Sequence, residues 1–144
     1  MAMTHSDTID VLNRVLAVLY RSLPVYLQGA KPWTPNDGRR ALDALARIAE
    51  DQQRYSQRVA AAILQEDGQI AVGQFPLEFT AIHDLALDYL VKRVAQSQRR
   101  DIEIIRECVA ALADASALRV LAEEILGNAE GHLETLEEIM MNDE

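Results

Sequence analysis

The chain has 144 residues, of which 49% are hydrophobic and 26% are charged. A chain of this length buries roughly 70% of the surface that it exposes when unfolded, so residues 1–144 are expected to form a single domain. The 14 basic and 23 acidic residues give a net charge of −9, which argues against nucleic acid as a partner. No apolar run of membrane-spanning length and no signal peptide is visible, and Cys108 has no second cysteine to pair with. We therefore expect a cytoplasmic protein with no membrane partner.

Apolar residues at helical spacing divide the chain into four segments. These segments, called A to D, are predicted as helices at about 7–28, 36–67, 80–112 and 116–141. Thr34 and Pro35 are typical of a helix start and precede segment B. Pro24 lies inside segment A and is expected to kink its last turn, because proline cannot donate a hydrogen bond to the carbonyl of Tyr20.

The connection between segments B and C is longer than a tight helical hairpin requires. It runs over residues 68–80 and still carries apolar side chains, among them Ile70, Val72, Phe75 and Phe79. We interpret it as a crossover that lies along the bundle surface and makes segments B and C roughly parallel. The sequence therefore predicts an all-α four-helix bundle with one long crossover.

Polar side chains interrupt the apolar stripes near the middle of the segments. They are Gln52, Gln53 and Ser56 on B, Ser97, Gln98 and Asp101 on C, and Asn128 and His132 on D, with Tyr20 beside the stripe of A. Unpaired buried polar groups cost about 1–3 kcal/mol each, so their similar depth indicates a hydrogen-bonded layer or a ligand site. A layer whose members satisfy one another is one interpretation. The other is a metal site that uses Glu50, Asp101 and His132, although dinuclear sites need more carboxylates than this.

Two stretches resemble ferritin-like proteins, and bacterioferritins in particular. Residues 125–134 (ILGNAEGHLE), with Leu136 and Glu137 after them, resemble the last core helix of that family. Residues 9–14 (IDVLNR) resemble the start of its first helix. The resemblance implies a ferritin-like up-down four-helix bundle with a long crossover between the second and third helices.

The resemblance also implies where metal ligands should lie. Family members hold two metals with a Glu on the first helix, a Glu-x-x-His on the second, a Glu on the third and a Glu-x-x-His on the fourth. Here Leu19 stands at the first position, while Glu50 is kept and Gln53 replaces the first His. Asp51 stands where the family's haem-binding Met would be, so haem is not expected.

The last two helices match this pattern poorly. No Glu falls on the central stripe of segment C, where Gln96 or Gln98 is nearest, and Ala129 replaces the Glu of segment D while His132 is kept. The resemblance therefore implies a degenerate di-iron site, at which Glu50 and His132 are the surviving ligand types. No cofactor is expected, and the alternative is one iron or another divalent metal.

These patterns favour a structural or interaction module without catalytic activity. The resemblance implies a homodimer formed through segments A and B, with apolar surface supplied by Val15, Val18 and Val25. The alternatives are a metal-binding protein or oxidoreductase with a reduced site, and a small-molecule binder that uses the polar layer. Gly127 and Gly131 lie inside segment D and indicate either close approach of a partner or packing within the bundle.

Overall fold

Helices account for most of the chain in a computed structural model, which describes residues 4–30, 38–75, 79 and 87–142. They are α1 (His5–Tyr20), α2 (Leu23–Ala30), α3 (Arg39–Gln65), α4 (Leu87–Ala111) and α5 (Ala117–Asn142). There is no strand in the described ranges, which confirms the all-α prediction. The predicted helix start at Thr34 and Pro35 lies outside them. A search of the described helices finds none that combines the length and apolar character needed to cross a membrane.

Segment A was predicted as one helix with a kink in its last turn, but it is broken before Pro24 into the two helices α1 and α2. The break falls just before the proline, which lies in the first turn of α2, where its missing N–H removes no helical hydrogen bond. The Ser22 Oγ accepts a hydrogen bond from the Val25 N–H at 3.2 Å and caps the start of α2. The proline thus begins a second helix, and α1 and α2 together form one arm of the bundle.

The core consists of two clusters, one towards each end of the bundle. The first contains α1 and the C-terminal halves of α3 and α4, with Leu12, Leu16, Val59, Ile63, Ile105, Cys108 and Ile125 among its members. The second contains α2 and the N-terminal halves of α3 and α4, with Leu27, Leu45, Ile48, Leu90, Val94 and Leu136 among its members. Because corresponding halves of α3 and α4 share a cluster, these two helices run in the same direction, and α5 runs opposite to both.

The bundle has four arms, which are α1 with α2, then α3, α4 and α5. The helices α1 and α5 each pack against both α3 and α4. Residues 68–75, the described part of the predicted crossover, lie along α1. The Asn13 side chain fixes them there: its Nδ2 donates to the Gln69 carbonyl at 2.9 Å, and its Oδ1 accepts from the Ala71 N–H at 2.8 Å. Val72 packs against the first core cluster, so this stretch covers part of the bundle surface.

Candidate functional site

A buried hydrogen-bonded layer separates the two core clusters. The Ser22 Oγ donates to the Gln52 Oε1 at 2.5 Å, and the Gln52 Nε2 donates to the Gln98 Oε1 at 3.3 Å. The Ser56 Oγ donates to the Gln52 carbonyl oxygen at 2.7 Å. The layer therefore links the α1–α2 break to α3 and α4 at one depth in the bundle.

One hydrogen-bond donor in this layer has no partner among the described residues. The Gln98 side chain is only 1% exposed, and its Nε2 has no hydrogen-bond partner among the described residues. A buried donor without a partner costs about 1–3 kcal/mol. Two residues that the sequence placed in the layer, Tyr20 and Gln53, are exposed and do not belong to it. Their positions correct that part of the prediction, because helical spacing alone did not fix which side of the stripe faces inward.

His132 lies in the contact between α3 and α5, beside Asp51. The His132 Nε2 is 2.7 Å from the Asp51 Oδ2, and the Asn128 Nδ2 donates to that same oxygen at 2.9 Å. The side chains of His132 and Asp51 are 16% and 19% exposed. Sequence analysis noted Asp51 only as a departure from a haem ligand and missed its role as the partner of His132.

Asp51 is held in its ionised form. Burial would raise the pKa of its carboxyl, but hydrogen bonds from Asn128 and His132, the charge of His132 and the nearby Arg54 guanidinium together hold that pKa below its ordinary value. The carboxylate therefore stays an acceptor at neutral pH, which suits the two side chains of α5 that point at it.

A second set of contacts joins the same two helices further along. The Glu124 carboxylate accepts from the Tyr55 hydroxyl at 2.8 Å and from the Arg58 Nη1 at 2.6 Å. The hydrogen bond from Arg58, and then that from Tyr55, lowers the pKa of Glu124. We call the combined contact the α3–α5 polar seam; it consists of Asp51, Tyr55, Arg58, Glu124, Asn128 and His132. Residues spaced by three or four on each helix form it, and that spacing was visible in the sequence.

The predicted metal ligands are not assembled into one site. Glu50 is exposed, His132 belongs to the polar seam, and Asp101 lines a separate cavity beside the α1–α2 break. Nowhere in the described ranges do three His, Cys, Asp or Glu side chains form a group able to hold a metal ion. Leu19 and Ala129 are buried in the first core cluster, where they supply no ligand atom.

A groove opens on the outer side of α1 and α3, next to the described part of the crossover. Its volume is about 570 Å³. Its lining residues are all uncharged: Leu16, Tyr20, Val25, Gln53, Ser56, Gln57, Ala60, Ile70, Val72 and Phe75. We call it the α1–α3 groove. Val15, which the sequence placed on this outer surface, is instead buried in the core, whereas Val18 and Val25 are half-buried.

Comparison with protein-family models, with curated proteins and with solved structures gives no significant match to this chain.

Proposed function

We propose that this chain is a non-catalytic interaction module, a four-helix bundle of ferritin-like topology that pairs with a second copy of itself through the α1–α3 groove. The uncharged lining of that groove carries the proposal. The parallel directions of α3 and α4 support the topology, as does the course of residues 68–75 along α1.

The electrostatics of the chain favour this face for self-association. With a net charge of −9, two copies repel each other over most of their surfaces. The α1–α3 groove has no charged residue in its lining, and three large side chains at its edge are exposed: Tyr20, Ile70 and Phe75. Burying apolar surface stabilises a complex by roughly 25 cal/mol per Å², so a contact here gains free energy without bringing like charges together.

The polar middle of the bundle also supports a non-catalytic role. Leu19 and Ala129 stand at two positions where the ferritin-like pattern requires carboxylates, and both are buried among apolar side chains. The layer between the core clusters is made of hydroxyl and amide groups, which are weak ligands for hard metal ions.

Sedimentation velocity of the full chain measures its oligomeric state and so tests the proposed dimer. The unmodified protein is expected to sediment as a dimer, and Phe75→Glu as a monomer, because the new carboxylate would be buried in the contact. Leu64→Glu is the matched control: Leu64 is 59% exposed, lies on α3 and does not line the groove. Circular dichroism checks that both variants keep their helical content.

An unmodified protein that sediments as a monomer or as a large shell would overturn the proposed dimer. Equal loss of the dimer in Leu64→Glu would place the contact elsewhere on the bundle.

One observation favours a second candidate, a metal-binding protein with a reduced site. His132 and Asp51 bring an imidazole nitrogen and a carboxylate oxygen within 2.7 Å of each other, and both are common ligands of divalent metals. In this candidate Asp51, rather than Glu50, is the carboxylate partner of His132. An ion at this place would have to replace the hydrogen bond between His132 and Asp51. Its binding would then stabilise the folded protein in a way that depends on His132.

A further inference from the structure

A cavity of about 210 Å³ lies between the α1–α2 break and α4, with Phe79 on its wall. Its polar lining consists of Arg21, Ser22, Ser97, Arg100 and Asp101. It shares no residue with the α3–α5 polar seam, and of the buried layer only Ser22 reaches it. The proposed dimer contact does not account for it.

Arg21 brings a buried hydrogen-bond donor without a partner to this cavity. Its Nε is buried and has no hydrogen-bond partner within the described part of the chain. Its Nη1 donates to the Gln74 carbonyl at 3.3 Å, a long contact to a neutral group. A buried guanidinium usually pairs with a carboxylate or another oxyanion, which accepts two parallel N–H donors. Arg21 as a whole is half-buried, and an oxyanion is the kind of acceptor that suits its shielded Nε.

Two further features make the cavity electropositive. Arg100 supplies a second guanidinium on its wall. The helix α2 begins at Leu23, so its positive end lies at Ser22, which also lines the cavity. The Ser22 hydroxyl is already engaged with Gln52 and the Val25 N–H, which leaves the hydroxyl of the buried Ser97 as the available side-chain donor.

Asp101 is the one acidic residue among the described residues that line the cavity. Burial raises the pKa of its carboxyl to about 7, although the charges of Arg100 and Arg21 act in the opposite direction. It forms no ion pair with either arginine within the described ranges. The other described lining residues, which come from α1, the α1–α2 break and α4 together with Phe79, carry no charge. With a proton on Asp101, the described lining of the cavity presents two cations and no anion.

We propose that this cavity binds a small oxyanion, held by the guanidinium groups of Arg21 and Arg100 and the hydroxyl of Ser97. The volume suits an ion such as phosphate or a short carboxylate. Binding and proton uptake are linked, since a negative Asp101 beside the anion would repel it.

Isothermal titration calorimetry with sulfate and with acetate tests the proposal. Neither ion titrates between pH 6 and pH 8, and the pair separates a tetrahedral ligand from a planar carboxylate. At least one ion is expected to bind the unmodified chain at pH 6. Its affinity is expected to fall about tenfold by pH 8, because Asp101 loses its proton between these values. The Asp101→Asn variant is expected to bind equally well at both pH values.

Arg21→Gln and Arg100→Gln are each expected to weaken binding by about tenfold or more, since each removes a charged donor. Arg47→Gln is the matched control, because it removes one positive charge at an exposed position on α3 away from the cavity. Arg100 is itself exposed, so its variant is expected to fold even where Arg21→Gln does not. Failure of both ions to bind at pH 6, or an equal loss in Arg47→Gln, would overturn the proposal and leave the dimer unaffected.

Discussion

His132 and Asp51 show how the environment of one side chain decides between two functions. Sequence analysis treated His132 as either a metal ligand or a member of a hydrogen-bonded layer. In the structure it contacts an ionised carboxylate at the boundary of α3 and α5, and Asn128 shares that acceptor. The contact is complete without an ion, so its expected role is to fix α5 against α3.

Replacing His132 with alanine is expected to destabilise the protein. The substitution leaves a partly buried carboxylate with one partner fewer and is expected to lower the free energy of unfolding by about 1–3 kcal/mol. Added Zn(II), Mn(II) or Fe(II), or EDTA, is expected to leave the melting temperature of the unmodified protein unchanged. Thermal melts of both proteins under each condition measure these effects.

His5→Ala is the control for that experiment, because it removes an exposed histidine that pairs with Glu66 near the start of α1. A metal-dependent rise in melting temperature that His132→Ala abolishes and His5→Ala retains would favour the metal-binding alternative. Binding of an ion to the folded state alone stabilises it by mass action.

At the scale of the helix, two glycines of α5 have no close neighbour from another element in the described part of the chain. A Cβ placed at Gly127 or Gly131 meets no atom within 4 Å apart from the adjoining residues and backbone of α5 itself, and both positions are exposed. This observation does not support the interpretation that they accommodate a neighbouring helix of the same bundle. Inside a helix, glycine then only adds conformational freedom to the unfolded chain.

Gly127→Ala and Gly131→Ala are therefore each expected to raise the free energy of unfolding by about 0.5–1 kcal/mol. Urea denaturation of each variant measures the change. Gly68→Ala serves as the opposite case: its Cβ would lie 2.8 Å from the Ile9 Cγ2, so destabilisation is expected there. A loss of stability at Gly127 or Gly131 in the assembled protein would instead indicate that a partner approaches this face of α5.

Helix positions and core stripes were predictable from the sequence, but side-chain partners between helices were not. Apolar spacing identified α3, α4 and α5 and core residues such as Leu90, Ile105 and Leu136, because burial follows helical periodicity. The pairing of His132 with Asp51 depends on how α5 is rotated against α3. The apolar pattern of one helix does not determine its rotation against another, so the pairing could not be predicted. The orientation of α3 towards the α1–α2 break and α4 likewise leaves Gln52 buried and the adjacent Gln53 exposed.

At the scale of the whole molecule, iron chemistry distinguishes the proposed module from a ferritin-like enzyme. A pair of irons that is oxidised by oxygen needs bridging carboxylates. Here Leu19 and Ala129 are apolar, and Glu50 is exposed. After anaerobic loading with Fe(II) and exposure to oxygen, the chain is expected to oxidise iron no faster than buffer does. Stopped-flow absorbance measures the rate, and rapid oxidation with two irons bound per chain would contradict the prediction.

The parallel directions of α3 and α4 also bear on how the chain folds. The contacts of α2 with α3 and of α4 with α5 join helices that follow each other in the chain, so each pair closes a short loop at small entropic cost. The two pairs are separated in the chain by the connection between Gln65 and Leu87, whose described residues 68–75 lie beside α1. Assembly is thus expected to proceed as two local hairpins that dock late, with the long-range contacts of α3 and α5 setting the rate.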